Sequence, residues 1–209
     1  MVTKTGQLEK QKIPKLRFLG FSGGWEEKRL GEIAKFWNGK AHEQDVSTNG
    51  KYIVVNSKFI SQNGDVKKYS DSQLSPLKQD DIAIVMSDIP GGKAIGKCFL
   101  VDKDDAYTLN QRIGGIKSKE IISPFLIRIL SRNKYFLKFD NGVSQTNLRK
   151  DEILKCPVIA PMRQEQQTIA NFLESVDDWI ENLQSQKENL EAYKKGTMQK
   201  IFSQEIRFK

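Results

Sequence analysis

The sequence predicts an α/β (α+β) chain in which a strand-rich mixed domain is followed by one long coiled-coil-like α-helix. Three observations carry this. Short apolar runs rich in β-branched residues recur between Tyr52 and Ile116, each closed by Gly, Asn, Asp or Pro. From Arg163 to about Phe202 there is no proline, and the apolar residues fall into heptads. Charge divides at the same boundary: seven Lys/Arg and eight Asp/Glu stand from Arg163 onward, leaving 27 basic against 18 acidic residues in 1–162. The expected segments are a leader (1–20), a mixed domain (21–161) and a helical region (162–209).

The leader is polar and basic until Pro14, which forces an extended entry. Leu16, Phe18 and Phe21 then read as anchors onto the domain that follows. The stretch from Trp25 to Gly39 mixes apolar and charged positions and predicts a short helical turn running into a strand. Strands are expected at Tyr52–Val55, Lys58–Ile60, Asp81–Met86, Ala94–Val101 and around Ala106–Ile116, with a turn at Asn63-Gly64-Asp65. Ser123-Pro124 predicts a helix start, serine as the cap and proline in the first helical position, before Phe125, Leu126, Ile129 and Leu130 at helical spacing. A second short helix is expected over Asn147–Leu154, capped by Thr146 or Ser144, and Cys156–Pro161 reads as a last strand closed by proline.

In the helical region Ile169, Val176, Leu183 and Leu190 are seven apart. Phe172, Trp179 and Tyr193 fill the second seam position, and Leu173, Ile180 and Ile201 flank it. A helix of roughly forty residues extends about 60 Å, whereas a domain of about 160 residues is nearer 35–40 Å across. The stripe therefore outruns the domain and calls for a partner helix. It is also wider than a two-position seam, interrupted by Gln186 and Lys187, and carries a helix-weakening Gly196.

Several classes of chemistry are excluded or unsupported. No apolar run reaches the ~20 residues of a membrane span, and the first fifteen residues have no signal-peptide core. Cys98 and Cys156 are too few for a disulfide framework, so a reducing cytoplasm is the expected location. Gly91–Lys97 has the Gly-x4-Gly-Lys frame of a phosphate-binding loop, but Cys98 stands where a Ser/Thr hydroxyl should hold magnesium, and a strand-like FLV follows. Glu26-Glu27-Lys28 resembles half of a metal-nuclease motif without its preceding Asp, and Asp80-Asp81 reads as a turn before a strand. His42 is the single histidine and has no nearby nucleophile. Neither a metal site nor a catalytic site is expected.

What remains is a field. The +9 of residues 1–162 suits a polyanion, because each neutralised phosphate releases condensed counterions. Amide- and hydroxyl-bearing loops carry the cations: Val55–Lys58, Lys67–Tyr69, Asn110–Arg112 and Ser144–Lys150. Amides pair with adenine edges, arginine with guanine, and lysines hold phosphates. The last of these loops could also present a helix N-terminus to a phosphate.

The combination resembles the specificity subunits of type I restriction–modification systems, over nearly the whole chain. The likeness rests on PKLRF followed by WEEKRLGEIAKFWNGK, on LKQDDIAIVMSDIPGGKAIGK, on the triplet Asn110-Gln111-Arg112, and on GVSQTNLRKDEILKCPVIAPMRQEQQTIANFLESVD. It extends to the tail KKGTMQKIFSQEIRFK, whose QEIRFK echoes the leader, and its most specific part is the helix entry with Pro161, Glu165 and Gln166. The resemblance implies a target recognition domain that reads one half of a split double-stranded DNA site. It also implies a helix that acts as spacer and docks methyltransferase subunits. Full subunits of that family carry two such repeats with antiparallel helices, and this sequence holds one. Two copies paired antiparallel would rebuild the whole. Methyl transfer and cleavage, with S-adenosylmethionine and ATP, are then expected in the partner methyltransferase (M) and restriction (R) subunits, and the resemblance implies that this chain is a non-catalytic DNA-recognition subunit.

On this reading the DNA contacts are expected from Lys40, Asn56, Lys58, Lys93, Lys97, Arg112, Gln145, Asn147 and Arg149. The pairing surface is expected from Ile169, Phe172, Val176, Trp179, Ile180, Leu183 and Leu190. The alternatives are a coiled-coil homodimer that sequesters methyltransferase without reading DNA, and a stand-alone nuclease whose acids converge only in the fold.

Overall fold

The structure, a computed structural model, describes residues 14–42 and 46–207. Most of the leader, residues 43–45 beside His42, and the last two residues of the tail lie outside the described range. The chain divides into two units, Met1–Gln167 and Thr168–Lys209.

In the first unit the expected turn-then-strand after Trp25 is present as β1 (Glu26–Arg29), α1 (Leu30–Ile33) and β2 (Ala34–Asn38). The single turn of α1 holds because Glu32 Oε2 accepts the Arg29 N–H at 2.8 Å and because Leu30 and Ile33, three apart, are both fully buried. The last strand of the head, β12 (Pro157–Ala160), pairs antiparallel with β1, Glu26 opposite Ala160 and Arg29 opposite Pro157.

Eight of the remaining strands form two four-stranded sheets. One is antiparallel, in the order β2, β10 (Ile113–Ser118), β6 (Ile82–Val85), β8 (Cys98–Leu100). The continuous apolar run of β6 is buried on both faces, and the period of two divides it between two cores. Ile82 and Ile84 pack with Ile116, Leu126, Leu130 and Phe136, whereas Ala83 and Val85 pack with Val55, Phe59, Leu77 and Leu109. The second sheet is mixed, in the order β3 (Val46–Ser47), β5 (Tyr69–Ser70), β4 (Tyr52–Val55), β9 (Tyr107–Leu109), with β4 and β9 parallel.

Four expectations are corrected. Lys58–Ile60 is not a strand but part of α2 (Ser57–Ser61), because Asn56 Oδ1 accepts the Phe59 N–H at 2.9 Å and starts a helix. Helix α3 (Ser123–Leu130) is capped by Ile122, one residue before the serine; the Ile122 N–H goes to Gln166 Oε1 at 3.1 Å. A short α4 (Lys134–Leu137) follows it. Asn147 does not begin a helix: a two-residue strand β11 (Thr146–Asn147) pairs with β7 (Ser87–Asp88), and the helix is only α5 (Lys150–Leu154). Of Ala94–Val101, only Cys98–Leu100 is strand.

The leader is held differently than its apolar residues imply. Leu16 is 91% exposed and Phe18 is exposed as well. The anchor is Arg17, whose Nε and Nη2 donate to Glu165 Oε1 and Oε2 at 2.8 and 2.7 Å while Nη1 donates to the Gly23 carbonyl. The two side chains are 14% and 1% exposed. Gln166 beside it donates from Nε2 to the Pro161 carbonyl at 2.8 Å. The Glu-Gln pair of the helix entry is thus a buried clasp for the leader and for the start of α3.

The proline-free region forms one helix, α6 (Arg163–Phe202), of 40 residues. In the second unit Phe172, Trp179, Ile180, Leu183 and Leu190 are exposed, Trp179 to 73%, while Ile169 and Val176 are half-buried. Charge is segregated along the helix: Glu174, Asp177, Asp178 and Glu181 precede Lys187, with no cation from Thr168 to Gln186, and Lys187, Lys194, Lys195 and Lys200 dominate thereafter. Among the described residues no helix is long and apolar enough to cross a membrane. A Cβ added at Gly196 would meet nothing within 4 Å. Gly196→Ala is therefore expected to raise helix stability by up to about 1 kcal/mol, read as an increase in the helical circular-dichroism signal at the unfolding midpoint of the wild type.

Candidate nucleic-acid interface

Five chain segments are laced together at one edge of the two sheets, where strands end. As β2 runs out, the Gly39 N–H donates to the Ile113 carbonyl and the Lys40 N–H to the Leu109 carbonyl, both at 3.0 Å. Lys40 also bridges to Asn110. The Asn110 N–H reaches the Val55 carbonyl at 3.1 Å, which brings the end of β4 and Asn56 alongside. The Met86 N–H donates to the Arg112 carbonyl at 3.0 Å, and the Met86 carbonyl accepts the Leu148 N–H at 2.7 Å. Ser87 then lies opposite Asn147 in the β7–β11 pair. Lys40, Arg112, Gln145 and Asn147, scattered over more than a hundred residues of sequence, stand exposed along this row.

The turn at Asn110–Arg112 is locally strained. Arg112 has φ +66°, in the left-handed region that favours glycine, and is held there by the Met86 bond to its carbonyl. A bulky cation kept at such a position costs of order 1 kcal/mol or more, which is the kind of strain that collects at functional sites. Gly39 is needed for the crossing: a Cβ there would lie 2.0 Å from the Asn110 carbonyl oxygen.

The other expected contacts are placed as follows. Asn56 is half-buried and its Oδ1 is spent on the α2 cap, while Lys58 is exposed on α2. Lys97 reaches back to the Ser61 carbonyl at 3.3 Å, at the far end of the same helix. Lys93 is exposed in the glycine-rich loop. That loop wraps the Asp88 carboxylate, which accepts the N–H groups of Ile89, Ala94 and Ile95 at 2.6 to 3.0 Å, and a Cβ on Gly92 would collide with it. Its amides serve an internal anion, and β8 follows directly, so it is no phosphate-binding loop. Arg149 is bound by Glu152, Nη2 to Oε1 at 2.8 Å, and Glu152 also accepts the Arg149 N–H. The short helix that was to face a phosphate already carries its own carboxylate.

His42 is a buried peg: Nδ1 lies 2.8 Å from the Lys40 carbonyl, which can only accept, and Nε2 lies 2.8 Å from Thr108 Oγ1. Burial raises both cysteine thiols, that of Cys156 to about 12, so neither has the lowered pKa of a nucleophile. Among the described residues no group of three or more His, Cys, Asp or Glu could hold a metal. One member of the edge escaped sequence reasoning. Ser87, buried at the end of an apolar run, accepts from Gln145 Nε2 at 2.8 Å. No local signal marks it, since it matters only through the β7–β11 pairing. Thr146, expected as a helix cap, is instead buried and donates to Asp140 Oδ1 at 2.9 Å.

Comparison with known proteins gives consistent matches. Residues 22–192 match the family model described as the Type I restriction modification DNA specificity domain. The chain is 34% identical over 141 residues to the type I restriction enzyme MjaVIII specificity subunit of Methanocaldococcus jannaschii, covering 64% of this chain and 32% of that protein. Among solved structures, the type I restriction–modification S subunit from M. genitalium superposes with a TM-score of 0.65 at 21% identity, over 92% of this chain and 49% of that one. The HsdS subunit of Thermoanaerobacter tengcongensis superposes with a TM-score of 0.53 at 14% identity, over 78% and 40%. The chain thus spans about a third of that curated relative and half or less of these structures.

Proposed function

Because this chain belongs to the type I restriction–modification DNA specificity family, we propose that it reads one half of a bipartite double-stranded DNA target and docks methyltransferase subunits through its long helix. The observation that carries this reading is the laced edge, where Lys40, Arg112, Gln145 and Asn147 from three separate segments stand exposed together. Cations there hold phosphates and amides meet base edges. The +9 of residues 1–162 supplies the field that draws the duplex in.

A second copy of the chain completes the unit. Antiparallel pairing of two α6 helices sets the acidic first half of each against the lysine-rich second half of the other, and covers the apolar stripe. A closed two-fold dimer favours a palindromic, split target. Methyl transfer and cleavage belong to the M and R partners, where S-adenosylmethionine and ATP bind.

The test is co-expression with a cognate methyltransferase followed by genome-wide methylation mapping. A bipartite methylated motif is expected, lost when residues 26–160 are deleted; methylation unchanged by that deletion overturns the reading. In the purified assembly, Lys40→Ala or Arg112→Ala should each lower the slope of log affinity against log salt by about 1. Capture of methyltransferase with no salt-dependent DNA affinity would instead favour the sequestering module.

A further inference from the structure

We infer that the loop from Asp140 to Asn147 reads a single A·T base pair in the major groove, Gln145 and Asn147 engaging the adenine and Val143 the thymine methyl group. This rests on the DNA-reading function proposed above.

The loop is fixed from within. Asp140 Oδ1 accepts from the Gly142 N–H and from Thr146 Oγ1, each at 2.9 Å. Asn141 Oδ1 accepts the N–H groups of Val143 and Ser144 at 3.0 and 3.1 Å. Its far end is sewn to β7 by the pairing of Thr146 with Asp88 and of Asn147 with Ser87. Polar groups held in place before binding lose little freedom on contact, so they can discriminate.

The amide bonding then decides what is offered. Gln145 Nε2 donates to Ser87 Oγ at 2.8 Å and, at 3.4 Å, to Asn147 Oδ1. Those bonds use the donor side of Gln145 and the acceptor side of Asn147. What remains is an acceptor, Gln145 Oε1, beside a donor, Asn147 Nδ2. Adenine presents the complement in the major groove, a donor at N6 and an acceptor at N7; guanine presents two acceptors and cytosine one donor.

Val143 supplies the other half of the pair. It is 84% exposed at the loop tip, an apolar side chain turned to solvent by a loop whose own bonds hold it there. Of the four bases only thymine carries a methyl group into the major groove, across the pair from adenine's N6 and N7. The nearby Asp88 carboxylate does not repel a duplex freely, since three backbone amides hold it.

The experiment uses the full chain assembled with its methyltransferase, and duplexes carrying the bipartite target found by methylation mapping. Each A·T pair is altered in turn: purine or 7-deazaadenine for adenine, uracil for thymine. One pair in each half-site should lose about tenfold in affinity on either adenine change, and about threefold on the uracil change. Gln145→Ala combined with Asn147→Ala should shrink the adenine penalties below about twofold, while Val143→Ala, at an exposed site, should erase only the uracil penalty. Equal discrimination by wild type and all variants, with sequence-specific binding intact, overturns this inference and leaves the DNA-reading function standing. Absence of sequence-dependent binding by the wild-type assembly overturns both.

Discussion

Glu165→Ala is expected to cost about 3–5 kcal/mol of stability. The alanine would leave the Arg17 guanidinium, only 14% exposed, facing a space where two charge-assisted hydrogen bonds of 2.7 and 2.8 Å had been. A largely desolvated cation without its counter-ion is the expensive outcome, much more so than loss of a surface pair. For a chain of this size the midpoint of thermal unfolding should fall by roughly 10 °C. Scanning calorimetry on the purified chain reads it directly. Replacing both partners, Arg17→Met with Glu165→Leu, should recover a good part of the loss, because the charge and its hole disappear together. A loss below about 1 kcal/mol for Glu165→Ala would mean that water screens the pair as it does at an open surface.

Gly39→Ala is the second large effect, and it joins stability to recognition. The added methyl would lie 2.0 Å from the Asn110 carbonyl oxygen and 2.7 Å from that of Leu109, backbone atoms fixed by the Lys40 and Val55 hydrogen bonds. A flexible side chain could step aside; a laced backbone cannot. We expect about 3 kcal/mol of destabilisation, together with a displacement of Lys40 from the Asn110–Arg112 turn. DNA affinity should therefore fall further than in Lys40→Ala, which removes the charge but leaves the edge intact. Chemical denaturation gives the first quantity and a binding isotherm at fixed salt the second. Affinity equal to that of Lys40→Ala would show that the crossing at Gly39 does not organise the surface.

Periodic and punctuated features were legible in the sequence. Helix α6 begins and ends where the proline-free heptads do, and β6 and β12 lie where continuous or proline-closed apolar runs place them. Legibility failed where one side chain outweighed a pattern. At Lys58–Ile60 the apolar run suggested a strand, but the Asn56 cap turns it into a helix that buries Phe59 and Ile60. In the leader the conspicuous residues were Leu16 and Phe18, yet the one held down is the arginine between them, half-buried on a partner, Glu165, that lies 148 residues away. Thr146 and Asn147 looked like the lead-in to a helix and became a strand through pairing with Ser87 and Asp88, which no local window contains. The candidate site shows the same division. Its residue types were recognisable as amides and cations in loops. That Lys40, Arg112 and Asn147 share an edge, while Arg149 is spoken for by Glu152 and Asn56 by its cap, is a matter of topology.

Because β1 and β12 run side by side, the chain enters and leaves the body of the head at neighbouring points, with Glu26 facing Ala160. A segment whose ends already touch can be spliced out and another spliced in at little cost in chain entropy. The Arg17–Glu165 pair and the Gln166 bond to the Pro161 carbonyl lie outside that splice, and the Ile122 N–H to Gln166 bond is the one part of the clasp that a new segment must remake. On the proposed function, exchanging one continuous stretch of about 135 codons would bring a new target while the Arg17–Glu165 pair stayed in place.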